Sequence, residues 1–153
     1  MIVYRICKAK YAHDAFSGAG GLDASGRWHR KGQPVVYTAG TLSLAALEYF
    51  VHLGRLDTRI SFVSVSADIP DEIRQETIDT AALPPDWKTS PPLDATMQLG
   101  SRWCAELRSA ILKVPSAMVP GEFNFLLNPR HPDFPRITLS APERFFFDPR
   151  SWK

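Results

Sequence analysis

The stretch from Leu42 to Leu53 constrains this chain more than any other. Leu42, Ala45, Ala46, Tyr49, Phe50 and Leu53 recur at the i, i+3, i+4, i+7 spacing of one helical face. Leu44, Leu47 and Val51 occupy much of the remaining surface, so the pattern predicts a helix apolar nearly all round and enclosed by other elements. Thr41 or Ser43 serves as its N-cap and Gly54 as its stop. Inside it stands Glu48, the one formally charged residue between Thr41 and Gly54. It shares a strip with Leu44 and Val51. An unpaired carboxylate in such a place costs on the order of several kcal/mol or takes up a proton. The economical settings for it are an Arg partner or an opening onto a ligand cleft. The alternative is a Glu on a narrow solvent-facing stripe.

The 153 residues suit one domain over 1–153, long enough to bury a real core. A formal net charge of +2 gives no electrostatic case for direct nucleic-acid binding. Cys7 and Cys104 stand far apart, outside any disulfide framework or zinc spacing, as in a reduced cytoplasmic protein. His13, His29, His52 and His131 lack spacing such as H-E-x-x-H, so no metal is expected. No long apolar segment follows the basic residues of MIVYRICKAKYAHDAF, and no run approaches the length of a membrane span. Neither a secretory signal nor a membrane partner is expected.

Met1–Cys7 reads as a first strand, rich in β-branched and aromatic residues. Residues 8–33, with five glycines, read mostly as loop with a helical turn near Tyr11–Phe16. Pro34–Ala39 is a short buried strand, and Thr58–Ala67 alternates apolar and Ser positions as a further strand. Pro70–Ile78 reads as a short helix opened by its proline. Four prolines make Ala82–Pro92 a surface loop, and a helical period returns over Ala95–Ile111. Ile111–Val114 and Arg144–Phe147 read as strands, whereas Phe123–Leu127 fits either element. The mixture predicts an α+β fold with a central mixed or antiparallel sheet and flanking helices.

Three polar features accompany Glu48. The loop Gly26-Arg27-Trp28-His29-Arg30-Lys31-Gly32 leads into the strand carrying Tyr37, which leads into the Glu48 helix. Arg27 offers paired planar donors for phosphate or carboxylate, and a neighbouring glycine permits close ligand approach. Trp28 and Tyr37 offer aromatic faces to a base or a cationic ring. A solvated turn with a packed Trp is the plainer alternative. Ser116, in Val114-Pro115-Ser116, follows a strand and can donate to a phosphate or ribose oxygen, or simply close a turn. Asn124 and Asn128 stand i, i+4 and either face one cavity or serve local caps. Neither a P-loop nor a dinucleotide-binding glycine fingerprint occurs, and no Gly-x-Ser-x-Gly elbow surrounds Ser116.

The order of these motifs resembles the RES-domain toxins of bacterial toxin–antitoxin pairs, a family named for an Arg, a Glu and a Ser. The matching elements are Tyr4-Arg5-Ile6, Gly26-Arg27-Trp28, Gly32, Val35-Val36-Tyr37, Leu44-Ala45-Ala46-Leu47-Glu48, Val114-Pro115-Ser116 and Asn128-Pro129-Arg130-His131-Pro132. The resemblance implies a fold similar to ADP-ribosyltransferase toxins, with NAD as substrate. It implies a cognate Xre-like helix-turn-helix antitoxin and an oligomer, with itself or with that antitoxin. The reaction is then cleavage of the nicotinamide–ribose bond by water or phosphate, or transfer of ADP-ribose to a protein. A non-catalytic module binding RNA or an acidic partner is the rival of another class.

With that chemistry, Glu48 stabilises the positive charge that develops on the ribose, as carboxylates do in glycoside cleavage. Arg27 pairs with the pyrophosphate or with a carboxylate near it, and Ser116 bonds ribose or phosphate. Tyr37 stacks on the nicotinamide, Arg5 serves as a second cation, and Asn124 is an orienting amide.

Overall fold

The computed structural model describes residues 1–53 and 60–152. Strand β1 (Ile2–Lys8) runs into a 3-10 turn (Ala9–Asp14) and the short helix α1 (Ala19–Asp23). Strand β2 (Val36–Ala39) leads to helix α2 (Leu42–Phe50). Next come β3 (Phe62–Asp68), β4 (Gln75–Thr77) and helix α3 (Asp94–Ala105). The chain closes with β5 (Ile111–Pro115), β6 (Phe123–Leu127), β7 (Thr138–Leu139) and β8 (Glu143–Phe145). The eight strands among the described residues join one sheet in the order β4-β5-β6-β2-β1-β3-β7, with β8 also on β3. The β4–β5 pair is parallel and the other pairs are antiparallel, which makes the sheet mixed and the fold α+β as expected.

Period-two alternation sorts the side chains onto two faces. On one face Val3, Val36, Val65, Ile111 and Leu127 pack with Phe16 from the loop after β1. On the other, Leu112 and Leu126 meet Trp103 of α3 together with Trp28 and Trp87. Each such buried side chain contributes about 1.5–3 kcal/mol. Beside that cluster, Leu44 and Ala45 of α2 cover Ile6, Ala39 and Phe62.

Strands β1 and β2 pair at a single position, Tyr4 opposite Ala39, whereas β1 and β3 pair from Ile2 to Lys8. The sheet therefore opens between β1 and β2. Arg5 occupies that opening, its Nη1 donating to the Tyr37 carbonyl at 2.9 Å. A side-chain donor thus replaces a ladder N–H that the parted strand no longer supplies.

Several expectations need correction. Helix α2 is not enclosed: Leu47 and Val51 are 37% and 45% exposed, and only Leu44 and Ala45 are buried. An apolar period shows that a helix has a face to bury, but not how many neighbours arrive to cover its other sides. Thr41 is the N-cap, its Oγ1 accepting from the Leu44 N–H at 3.1 Å. Gly54, the expected stop, and residues 58–59, the expected start of the next strand, lie outside the described residues. Residues 70–78 form no helix. A turn closes from the Ile73 N–H to the Pro70 carbonyl, and Gln75–Thr77 then extends along Ile111–Lys113. Here strand pairing overrides a local helical signal.

Helix α3 ends at Ala105, short of the expected Ile111. Leu107 adopts a left-handed φ of 51°, the Arg108 N–H reaches back to the Trp103 carbonyl, and the Leu107 N–H reaches that of Cys104. That is a Schellman stop with leucine where glycine is usual. Phe123–Leu127 resolves as a strand, and the last expected strand is shorter, ending at Phe145. Phe147 instead folds back onto Tyr49, Phe50 and Phe62, ring centroids 5.4–6.2 Å apart.

Candidate functional site

Asn124 on β6 lies opposite both Val114 and Ala39, so its side chain shares the sheet face that α2 covers. Ser116 follows β5 directly, its N–H bonded to the Glu122 carbonyl across the β5–β6 turn. Both side chains converge on Glu48. The Ser116 hydroxyl donates to Glu48 Oε1 at 2.9 Å, and the Asn124 amide donates to the same oxygen at 2.6 Å. Among the described residues, no hydrogen bond is made to Oε2. Asn124 Oδ1 is buried and likewise lacks a partner among them. The half-buried carboxylate is thus held through one oxygen by two side chains.

The hydroxyl of Ser116 has no capacity to spare. It donates to Glu48 while accepting from the N–H groups of Met118 (3.0 Å) and Val119 (3.1 Å), which uses its one proton and both lone pairs. Contact with a ribose or phosphate oxygen would require one of these bonds to break. In this arrangement Ser116 sets the direction of Glu48.

The Arg27 loop is tied down on several sides. Trp28 is 2% exposed, packed among Trp87 and Trp103, with the Trp87 ring 5.7 Å away. It anchors the loop from inside the core and presents no face to a ligand, which corrects the expectation of a Trp28 binding surface. Gly100 of α3 explains how the loop comes so close. A Cβ there would stand 1.8 Å from the Trp28 carbonyl oxygen, so only glycine permits the approach. Arg30 adds a two-donor pair with Asp94, Nε to Oδ1 at 3.1 Å and Nη2 to Oδ2 at 2.7 Å, and its backbone N–H donates to Ser101 at 2.8 Å.

Arg27 itself donates through Nη1 to the carbonyls of Trp87 (2.7 Å) and Thr89 (3.0 Å). Partial burial lowers its pKa, and the negative charge of Glu48 opposes that shift. Burial raises the Tyr37 pKa, while Arg27 pulls it down and Glu48 pushes it up. These three groups therefore share one electrostatic neighbourhood. The Tyr37 hydroxyl is engaged inside the protein, bonded to the Trp28 N–H at 3.1 Å and to His29 Nδ1 at 2.9 Å. What Tyr37 has left to offer a ligand is its ring. Arg5 holds the Tyr37 carbonyl, its Nε is buried without a partner among the described residues, and burial lowers its pKa.

So the structure brings Glu48, Ser116 and Asn124 into direct contact, leaves Arg27 and Tyr37 within electrostatic reach of Glu48, and ties Arg5 to Tyr37. Asn128 does not join. It is fully buried, bonded to the Cys104 carbonyl and the Arg130 N–H, and braces the loop after β6. Two contributions escaped the sequence reading. One is the pair of carbonyls at Trp87 and Thr89, which carry no side-chain signal. The other is His29, whose only visible cue was its place between Trp28 and Arg30.

The overall fold, a mixed sheet with few helices, is shared with a solved structure. A chain of the M. tuberculosis MbcT–MbcA toxin–antitoxin complex superposes with a TM-score of 0.74 over 94% of this chain and 83% of that one, at 18% identity. The RES domain model matches residues 2–148, so the chain belongs to the RES-domain family. "Toxin Res" of Photorhabdus laumondii subsp. laumondii is 43% identical over 134 residues, 88% of this chain and 85% of that protein. The "Prs ADP-ribosylating toxin" of Sphingobium sp. is 37% identical over 142 residues, 92% and 88% of the two chains.

Proposed function

We propose that this protein is the toxin of a toxin–antitoxin pair and that it consumes NAD by cleaving the nicotinamide–ribose bond. The observation that carries this reading is the Glu48 carboxylate, fixed through Oε1 by Ser116 and Asn124 with Oε2 unbonded among the described residues. Loss of nicotinamide leaves positive charge on the ribose, and a carboxylate already oriented stabilises it without reorganising. Arg27, anchored by two carbonyls, pairs with the pyrophosphate. The Tyr37 ring packs against the cationic nicotinamide. Ser116 and Asn124 hold the carboxylate in line, and Arg5 adds positive charge behind Tyr37.

Water or phosphate accepts the ADP-ribosyl group in this reading. A second reading, transfer to a protein, is favoured by the relative named as a Prs ADP-ribosylating toxin. The partner is an antitoxin, in keeping with the complex in which the solved neighbour was determined. Incubation of the purified chain with NAD, with and without phosphate, separates the cases by nicotinamide release. A cell extract with labelled NAD reveals transfer to protein. No release under any of these conditions would defeat the enzymatic reading.

A further inference from the structure

Beneath Arg27 lies an imidazole to which the proposed chemistry assigns no task. His29 is 3% exposed. Its Nε2 stands 3.0 Å from the Ala24 carbonyl oxygen, and its Nδ1 stands 2.9 Å from the Tyr37 hydroxyl. A carbonyl only accepts, so Nε2 carries the proton and Nδ1 is left as an acceptor. The Tyr37 hydroxyl then donates to Nδ1, and its oxygen accepts the Trp28 N–H at 3.1 Å. One tautomer satisfies all three bonds, and burial favours that neutral ring by lowering its pKa.

The chain Ala24–His29–Tyr37–Trp28 closes around a two-residue turn. Gly26 and His29 bridge each other through both backbone bonds, at 3.0 and 3.4 Å, with Arg27 and Trp28 at the tip. The turn rests on the Tyr37 hydroxyl, since a Cβ on Gly26 would stand 2.6 Å from that oxygen. The direction of Arg27 thus depends on where the hydroxyl sits, and Nδ1 of His29 fixes the hydroxyl.

We infer that His29 is a positioning residue for substrate binding: as the Nε2-protonated tautomer it pins the Tyr37 hydroxyl under the Gly26–His29 turn and so aims Arg27. The inference rests on the reading that Arg27 binds NAD. Steady-state cleavage of NAD is compared for the wild-type chain, His29→Gln, His29→Asn, Tyr37→Phe and His29→Gln combined with Tyr37→Phe. His29→Gln keeps a donor toward Ala24 and loses the acceptor toward Tyr37. It should raise KM for NAD by roughly tenfold, about the worth of one hydrogen bond, with kcat nearly unchanged. His29→Asn sets an amide oxygen near the place of Nδ1 and should recover most of that loss. In the Tyr37→Phe background, His29→Gln should add nothing further.

An unchanged KM in His29→Gln, a fall in kcat alone, or a His29→Asn variant as poor as His29→Gln would each overturn the inference. The imidazole 15N spectrum of the wild-type chain reads the tautomer whether or not the variants fold. A proton on Nε2 and a bare Nδ1 near neutral pH are expected, and the reverse tautomer or a doubly protonated ring overturns the inference. A wild-type chain that releases no nicotinamide but shows the expected tautomer refutes the NAD reading and, with it, the task assigned to His29. The two failures are therefore distinguishable.

Discussion

Ser116 and Glu48 stand 68 positions apart in the chain and meet through a 2.9 Å hydrogen bond in which the serine donates. The same hydroxyl receives the N–H groups of Met118 and Val119, so one side chain both closes a turn and aims a carboxylate. Ser116→Ala removes all three bonds. We expect a loss of about 1–3 kcal/mol in unfolding free energy, read by thermal or urea denaturation, because two backbone donors are orphaned. For NAD cleavage, kcat should fall while KM holds. The opposite split, a raised KM at constant kcat, would mean that Ser116 touches the substrate.

Glu48→Gln separates the charge from the bonding pattern. An amide oxygen can accept from both Ser116 and Asn124, so the melting temperature should stay close to wild type. Nicotinamide release should drop by about 10²–10³-fold, as when a preorganised charge-stabilising group is removed. Retained activity in that variant would make the carboxylate structural and retire the proposed mechanism.

Arg27→Ala tests a double attachment. The guanidinium holds the carbonyls of Trp87 and Thr89 while feeling the charge of Glu48. Weaker NAD binding by calorimetry is expected, together with faster hydrogen exchange at the amides of Trp87 and Thr89. Those amides now close turns onto Pro84 and Asp86. Unaltered NAD affinity would exclude the phosphate-clamp role, whatever happens to exchange.

Gly100→Ala places a methyl group where the Trp28 carbonyl oxygen stands 1.8 Å away. Overpacking of this kind costs about 1–3 kcal/mol, measurable as a lowered denaturation midpoint. Since Trp28 follows Arg27 directly, the displaced loop should also raise KM for NAD. A variant as stable and as active as wild type would show that α3 does not support the site.

Acid should loosen the same loop through His29. Burial holds its folded-state pKa below the ordinary 6.5, so the unfolded chain binds the proton more readily. The stabilisation from a neutral His29 is therefore complete above 6.5 and is lost as pH falls from there through the lower folded-state value. His29→Gln should show a shallower decline in stability on that acid side. Identical pH profiles for the two chains would contradict the linkage.

Much of the site was legible because its chemistry sits in motifs of unusual composition. Glu48 stood out against apolar neighbours, and Arg27 between a glycine and a tryptophan. Strands β1, β2 and β5 followed from local pattern alone, and the helix cap was narrowed to Thr41 or Ser43. What escaped depends on distant partners. Gln75–Thr77 extends because Ile111–Lys113 lies alongside, and nothing within residues 70–78 announces that pairing. Ser116 reads as a ligand contact or a turn residue until its hydroxyl is found bonded on every side. Trp28 reads as a binding face or a packed anchor until Trp87 and Trp103 are found around it. The exposure of Leu47 and Val51 was equally hidden, since periodicity says nothing about what else covers a helix.

The long stretch of sequence that separates Glu48 from its two partners also sets a clock. Asn124 follows Glu48 by 76 positions. At ribosomal speeds of about 5–20 residues per second, roughly four to fifteen seconds separate their synthesis. Until residue 116 is made, the nascent chain carries the carboxylate but neither group that orients it. A chain released before residue 116 has no grip on Glu48 at all. Arming the site thus waits on residues 116 to 124, and abortive products that stop earlier leave the ribosome without it.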